Sequence, residues 1–203
     1  MPQVFLDMPD QLKDDLKALL ADREPKRVTI NNNAEYAQAS VLVPLFINHG
    51  RYWLLFTRRT TKVEYHKGEV SFPGGVVDHD DESWEHTALR ETFEEVGVRE
   101  EDIEILGQLD DMTTLTSHFI IHPFVGLIPF PYSFKINTRE VEHLIEVPLR
   151  FFLHPSQPRP FTLPREGGGI KTQAFIYKDA VIWGATERIL ENFIGLIKTK
   201  ILW

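Results

Sequence analysis

The sequence predicts an α/β or α+β fold, with helices packed on a mixed β-sheet as an α/β/α sandwich. Three observations predict it. Apolar runs of strand length alternate irregularly with stretches of helical period, two of those stretches are long, and no repeat, low-complexity tract or linker divides the chain. One domain over residues 1–203 is expected.

Asp10 to Asp22 carries leucines at 12, 16, 19 and 20, the spacing of one helix face, and Pro25 ends it. Ala39 to Ile47 reads as a buried strand, turned by Asn48-His49-Gly50 into a hairpin partner, Tyr52 to Thr57. A polar, cationic stretch runs from Arg58 to Gly68. A short strand, Val70 to Phe72, and a turn at Pro73-Gly74-Gly75 follow. Ser83 to Val96 is the best helix, closed by Gly97. Ile103 to Leu109 and Ile120 to Ile128 read as strands, and His118 and His122 beside the latter read as structural. Seven prolines between 129 and 164 mark a region of loops and short pieces. Phe175 to Trp183 reads as one strand and Ala185 to about Lys200 as a second long helix.

Composition excludes several functions. Without cysteine the chain has no disulfide scaffold, thiolate zinc site or cysteine nucleophile. Thirty acidic against 22 basic residues give a net charge of -8, which argues against a broad basic face for nucleic acid. No apolar run approaches the roughly 18 residues of a membrane span. The expected compartment is the cytoplasm.

The chemistry is concentrated in Glu82, then, after seven residues, Arg90-Glu91-Thr92-Phe93-Glu94-Glu95-Val96-Gly97-Val98. On a helix Glu91, Glu94 and Glu95 fall within about 100° of arc, and Leu89, Phe93 and Val96 within about 60° on the opposite side. The expectation is a core face of Leu89, Phe93 and Val96 and a wall of three carboxylates. Like charges at this spacing repel, and a divalent cation removes the repulsion. Hard oxygen ligands suit Mg²⁺ or Mn²⁺, which bridge to substrate phosphates. Arg90 stands beside the carboxylates and can hold one in place. Chance agreement of six fixed residues over this chain is on the order of 10⁻⁵.

This stretch resembles the Nudix box, the defining motif of the Nudix hydrolases. Two positions depart from it: six residues rather than five separate Gly75 from Glu82, and Thr92 stands at an apolar position. The resemblance implies a Nudix-type sandwich and hydrolysis of a nucleoside diphosphate linked to another group. It also implies Glu91, Glu94 and Glu95 as metal ligands, with the Gly75 carbonyl assisting, and Glu140 as a distal base or further ligand. The expected catalytic set is thus Arg90, Glu91, Glu94, Glu95 and Glu140.

Residues before the box narrow the resemblance. Leu55-Phe56-Thr57-Arg58-Arg59-Thr60, Gly68 and Phe72-Pro73-Gly74-Gly75 resemble the signature of the coenzyme A diphosphatases, a branch that also has aspartates like Asp78 and Asp81. That branch implies coenzyme A or an acyl derivative as substrate, bound by the cations Arg58, Arg59, Lys62 and Lys67. Glu64 stands where the signature has a second arginine, and it keeps open ADP-ribose, a dinucleotide or a nucleoside triphosphate. The expected partners are a nucleotide-containing small molecule and, as an open possibility, a second copy of the chain as a homodimer. No nucleic acid or membrane is expected.

Overall fold

The computed structural model describes residues 9–29, 36–60, 68–114, 118–163 and 168–200. Lys62, Glu64 and Lys67 lie outside the described residues. An eight-stranded mixed sheet is built from β1 (Ala37–Asn48), β2 (Arg51–Arg59), β3 (Val70–Ser71), β4 (Gly74–Val76), β5 (Glu104–Gln108), β6 (Met112–Thr113), β7 (Phe119–Leu127) and β8 (Val141–Pro148). Its central order is β3-β2-β1-β7-β5, with β4 on β1, β6 on β7 and β8 on β2. The β1–β7 pair is parallel, and its neighbours β2, β4 and β5 run antiparallel to it. A separate antiparallel sheet holds β9 (Arg159–Leu163), β10 (Ile170–Tyr177) and β11 (Ala180–Trp183).

Alternation along β1 divides the core into two layers. Leu42 and Phe46 point to one side, where they pack with Phe124 and Ile128 against Ala88 and Val96 of α2 (Trp84–Val96). Val43 and Leu45 point to the other side, toward α1 (Pro9–Ala21), α3 (Leu149–Phe152) and α4 (Gly184–Lys200). On α1 the buried residues are Leu12, Leu16 and Leu20, spaced four apart. On α4 they are Ile189, Leu190, Phe193, Ile194 and Ile197. The sandwich expected from the sequence is the fold.

The helix α2 begins and ends where capping chemistry puts it. The Ser83 hydroxyl accepts from the His86 amide at 3.1 Å, and Gly97, at φ 74°, donates its N–H to Phe93 O. Its core face differs from the expected one. Thr87, Ala88, Thr92 and Val96 face the sheet, while Phe93 is 49% exposed. Close approach of the helix to β1 favours small side chains there. Thr92 fits because its hydroxyl donates to Ala88 O at 2.7 Å, so no buried polar group is left open. The box position that departs from an apolar residue is thus a core residue.

Three other expectations are corrected. The supposed turn at Gly74-Gly75 is strand β4, in register with Ala39 to Val41. The proline-marked region contains β8, which pairs with β2 along most of its length. Phe175 to Trp183 is two strands of a hairpin, β10 and β11, turned at Lys178-Asp179 with Lys178 at φ 53°.

Candidate metal centre and active site

Pairing of β4 with β1 carries the loop that precedes α2 directly over the helix. Ser40 is the register partner of both Gly75 and His122, so these residues share one row of the sheet. Gly75 leaves room there for the carboxylate of Glu91, which a Cβ on residue 75 would displace. The backbone of β4 and the first of the three box glutamates, Glu91, therefore pack against each other.

The three box glutamates differ in surroundings. The Glu94 side chain is 53% exposed and 3.2 Å from Arg90. Glu91 is partly buried and 2.8 Å from the same guanidinium, and burial, only partly offset by Arg90, raises its pKa. Glu95 is buried. Burial pushes its pKa up to about 8, with the Arg59 charge acting against the shift and Glu140 and Glu91 adding to it. Arg59 stands at 3.8 Å, and Glu95 Oε2 has no hydrogen-bond partner among the described residues.

Glu140 joins this group from the turn before β8. Asn137 donates its side-chain amide to Glu140 Oε1 at 3.1 Å and its backbone N–H to Glu95 O at 2.9 Å. One asparagine thereby fixes the distal carboxylate against the end of α2. The proximity is also felt electrostatically, since Glu140 raises the pKa of both Glu91 and Glu95. Four carboxylates from two elements thus converge, with Arg59 alongside. The neighbouring Arg58 turns elsewhere, to Asp179 at 2.9 Å in the β10–β11 turn. Nε of Arg58 and of Arg59 is buried without a partner among the described residues.

Arg90 is held by a residue the sequence reading did not single out for this role. Its Nε and Nη2 donate to the two oxygens of Asp81 at 2.8 and 2.9 Å, and Nη1 reaches Glu91 and Glu94. Asp81 also accepts from the Thr87 hydroxyl and the Asp78 amide. The Arg90 hydrogen bonds, acting against burial, hold Asp81 well below the usual carboxylate range, and Asp81 raises Arg90 in return. Glu82 is exposed. A legible signal existed: five residues separate Gly75 from Asp81, the interval the box places between its glycine and its acid.

The donor set fits a hard divalent cation. It offers carboxylate oxygens, one of them buried and bare, beside a main-chain segment whose close packing requires glycine. His122, read as structural, is buried between Asp111 and Gln38, each 2.8 Å from a ring nitrogen. Among the described residues no helix is long and apolar enough to cross a membrane.

Comparison with known proteins agrees with the geometry. A model of the NUDIX domain matches residues 37–162, more than half of the chain. The chain is 37% identical over 168 residues to a protein of Photorhabdus laumondii described as an uncharacterized Nudix hydrolase NudL, covering 83% of this chain and 87% of that one. A protein of the same description from Yersinia pestis is 36% identical over 160 residues, 79% of each chain. A solved MutT/nudix family protein from Enterococcus faecalis shares the fold, with a TM-score of 0.53 at 20% identity over 84% of this chain and 66% of that one. With the box carboxylates on α2 packed beside β4 and the family matched over the same segment, the chain belongs to the Nudix hydrolases, enzymes that cleave pyrophosphate bonds.

Proposed function

We propose that this hydrolase cleaves the phosphoanhydride bond of coenzyme A or an acyl-coenzyme A, giving a phosphopantetheine derivative and adenosine 3',5'-bisphosphate. The observation that carries this reading is the arginine pair ending β2. Arg58 and Arg59 each keep a buried Nε donor without a partner among the described residues, and a phosphate oxygen satisfies such a donor well. Arg59 stands next to the carboxylates that would face the diphosphate, and Arg58 would serve a phosphate farther along the substrate. Lys62 and Lys67 extend the same cationic segment in sequence.

Glu91, Glu94 and Glu95, with the Gly75 carbonyl, would hold Mg²⁺ or Mn²⁺. Bound there, the ion polarises the phosphoryl group and neutralises developing charge. Glu140 accepts a proton from the attacking water or completes the ligand set. Arg90 positions Glu91 and Glu94 and is itself positioned by Asp81. The chain is taken as one domain that acts in the cytoplasm, in line with the absence of cysteine.

A hydrolysis screen with Mg²⁺ or Mn²⁺ tests this. Coenzyme A, dephospho-coenzyme A, ADP-ribose, NADH, diadenosine polyphosphates and nucleoside triphosphates are compared by kcat/KM. Coenzyme A should lead, dephospho-coenzyme A should be about 10-fold poorer for want of its 3'-phosphate, and Glu64→Arg should lower KM for coenzyme A. Equal values for the two substrates in wild type and Glu64→Arg would refute a site that reads the 3'-phosphate. ADP-ribose or a dinucleotide would then be the better reading, which Glu64 in the place of the signature arginine favours.

A further inference from the structure

We propose that the outer face of the Trp84 indole is the platform on which the substrate's purine base stacks. The inference rests on the nucleotide-diphosphate reading above and adds where the base goes.

Trp84 is the first residue of α2 and is 36% exposed. Its ring lies parallel to that of His122, 3.5 Å between centroids and 6° between planes. His122 cannot shift, because it is buried and its two nitrogens lie against Asp111 and Gln38. The same Asp111 oxygen that meets His122 accepts from Arg27 at 3.1 Å, and the Arg27 guanidinium lies 5.0 Å from the Trp84 ring centre. That oxygen lies near the plane of the imidazole, on one side of the indole. A guanidinium bonded to it cannot reach across to the other side. Imidazole and guanidinium therefore cover the same face of Trp84, and the opposite face is the one left to solvent.

Position ties this open face to the reaction centre. Trp84 and Glu91 are seven residues apart on α2, about 10 Å along the axis and about 20° around it. That is the separation a diphosphate needs to reach across a ribose to its base. Gln38 ties the stack to the segment after β4, since its carbonyl accepts from Val77 and its side chain lies against His122. A flat aromatic ring matches an open indole face, whereas a flexible pantetheine arm gains little from one. Of the bases, a purine covers more of the indole.

Binding of AMP and of ribose 5-phosphate to the full-length protein separates base from phosphate. In wild type AMP should bind about 10-fold more tightly than ribose 5-phosphate and quench tryptophan fluorescence. Trp84→Leu should abolish that preference and raise KM for the diphosphate substrate by a similar factor. Trp84→Phe should keep most of the preference while losing the quench, so a folding defect in the leucine variant leaves the test intact. An undiminished AMP preference in Trp84→Leu would overturn the proposal. So would a fall in kcat with the preference intact, which would make Trp84 only a helix anchor, or competition by phosphopantetheine that depends on Trp84. Because AMP binding needs no turnover, a protein that cleaves no diphosphate yet loses the AMP preference in Trp84→Leu would defeat the proposed function and sustain the platform.

Discussion

Asp81 and Glu95 are both buried carboxylates beside the same helix, and the protein treats them in opposite ways. Asp81 receives two bonds from Arg90 and one each from Thr87 and the Asp78 amide, and its pKa falls. Glu95 has Arg59 at 3.8 Å, one bare oxygen and two carboxylates for neighbours, and its pKa rises to about 8. Burial is common to both, so burial does not mark the site. Burial with weak compensation sets Glu95 apart, because it leaves negative charge that a bound cation would offset. The Asp81–Arg90 pair in turn constrains two neighbours of Glu95 on the same helix, since Arg90 also bonds Glu91 and Glu94.

Substitutions should separate the two roles. Glu95→Gln should lower kcat by about 100-fold or more, because a neutral amide is a poor ligand. In chelator the same variant should melt about 2–4 °C higher than wild type, since it removes an uncompensated buried acid. Asp81→Asn should do the reverse in chelator, destabilising the fold by about 2 kcal/mol, because Arg90 loses its carboxylate clamp and keeps only Glu91, Glu94 and the Val76 carbonyl. It should also cut activity by about 10-fold through misplaced ligands. Kinetics with Mg²⁺ or Mn²⁺ and melting curves in EDTA check both, and parallel stability changes in the two variants would erase the contrast. Glu140→Gln should lower kcat by about 10-fold with little change in KM; wild-type kinetics would return Glu140 to an ordinary turn residue.

The smallest expected effect is on pH dependence, and the two regions have opposite signs. Glu91, Glu95 and Glu187 have raised pKa values. The metal-free fold therefore binds more protons than the unfolded chain above about pH 4.5, and its stability falls as pH rises toward 8. Asp81 has a lowered pKa, so its contribution is present above about pH 4 and is lost in acid. Melting temperature in EDTA should decline between pH 5 and pH 8, and saturating Mn²⁺ should flatten the decline.

What the sequence made legible were the features with local causes. The leucine ladder of α1, the hairpin of β1 and β2, and the Ser83 and Gly97 caps of α2 each carry their own period or cap. The box glutamates were legible because one helix aligns them. Features set by tertiary packing were not. Strand β8 lacks alternation, since the consecutive residues Glu142 and His143 within it are both exposed. The turn between β10 and β11 has no glycine or proline. Phe93 is apolar yet faces outward, because the sheet admits only small groups at Ala88 and Thr92. The grip of Asp81 on Arg90 spans the loop before the helix, and helical spacing alone does not show it.

A divalent cation is expected to take the place of the proton that burial favours on Glu95 in the metal-free protein. Calorimetric titration with Mn²⁺ at pH 7, repeated in buffers of different ionisation enthalpy, counts the protons released on binding. The account predicts about one proton per ion in wild type, and both weaker binding and almost no release in Glu95→Gln. Tight binding without proton release in wild type, or unchanged affinity in Glu95→Gln, would contradict it.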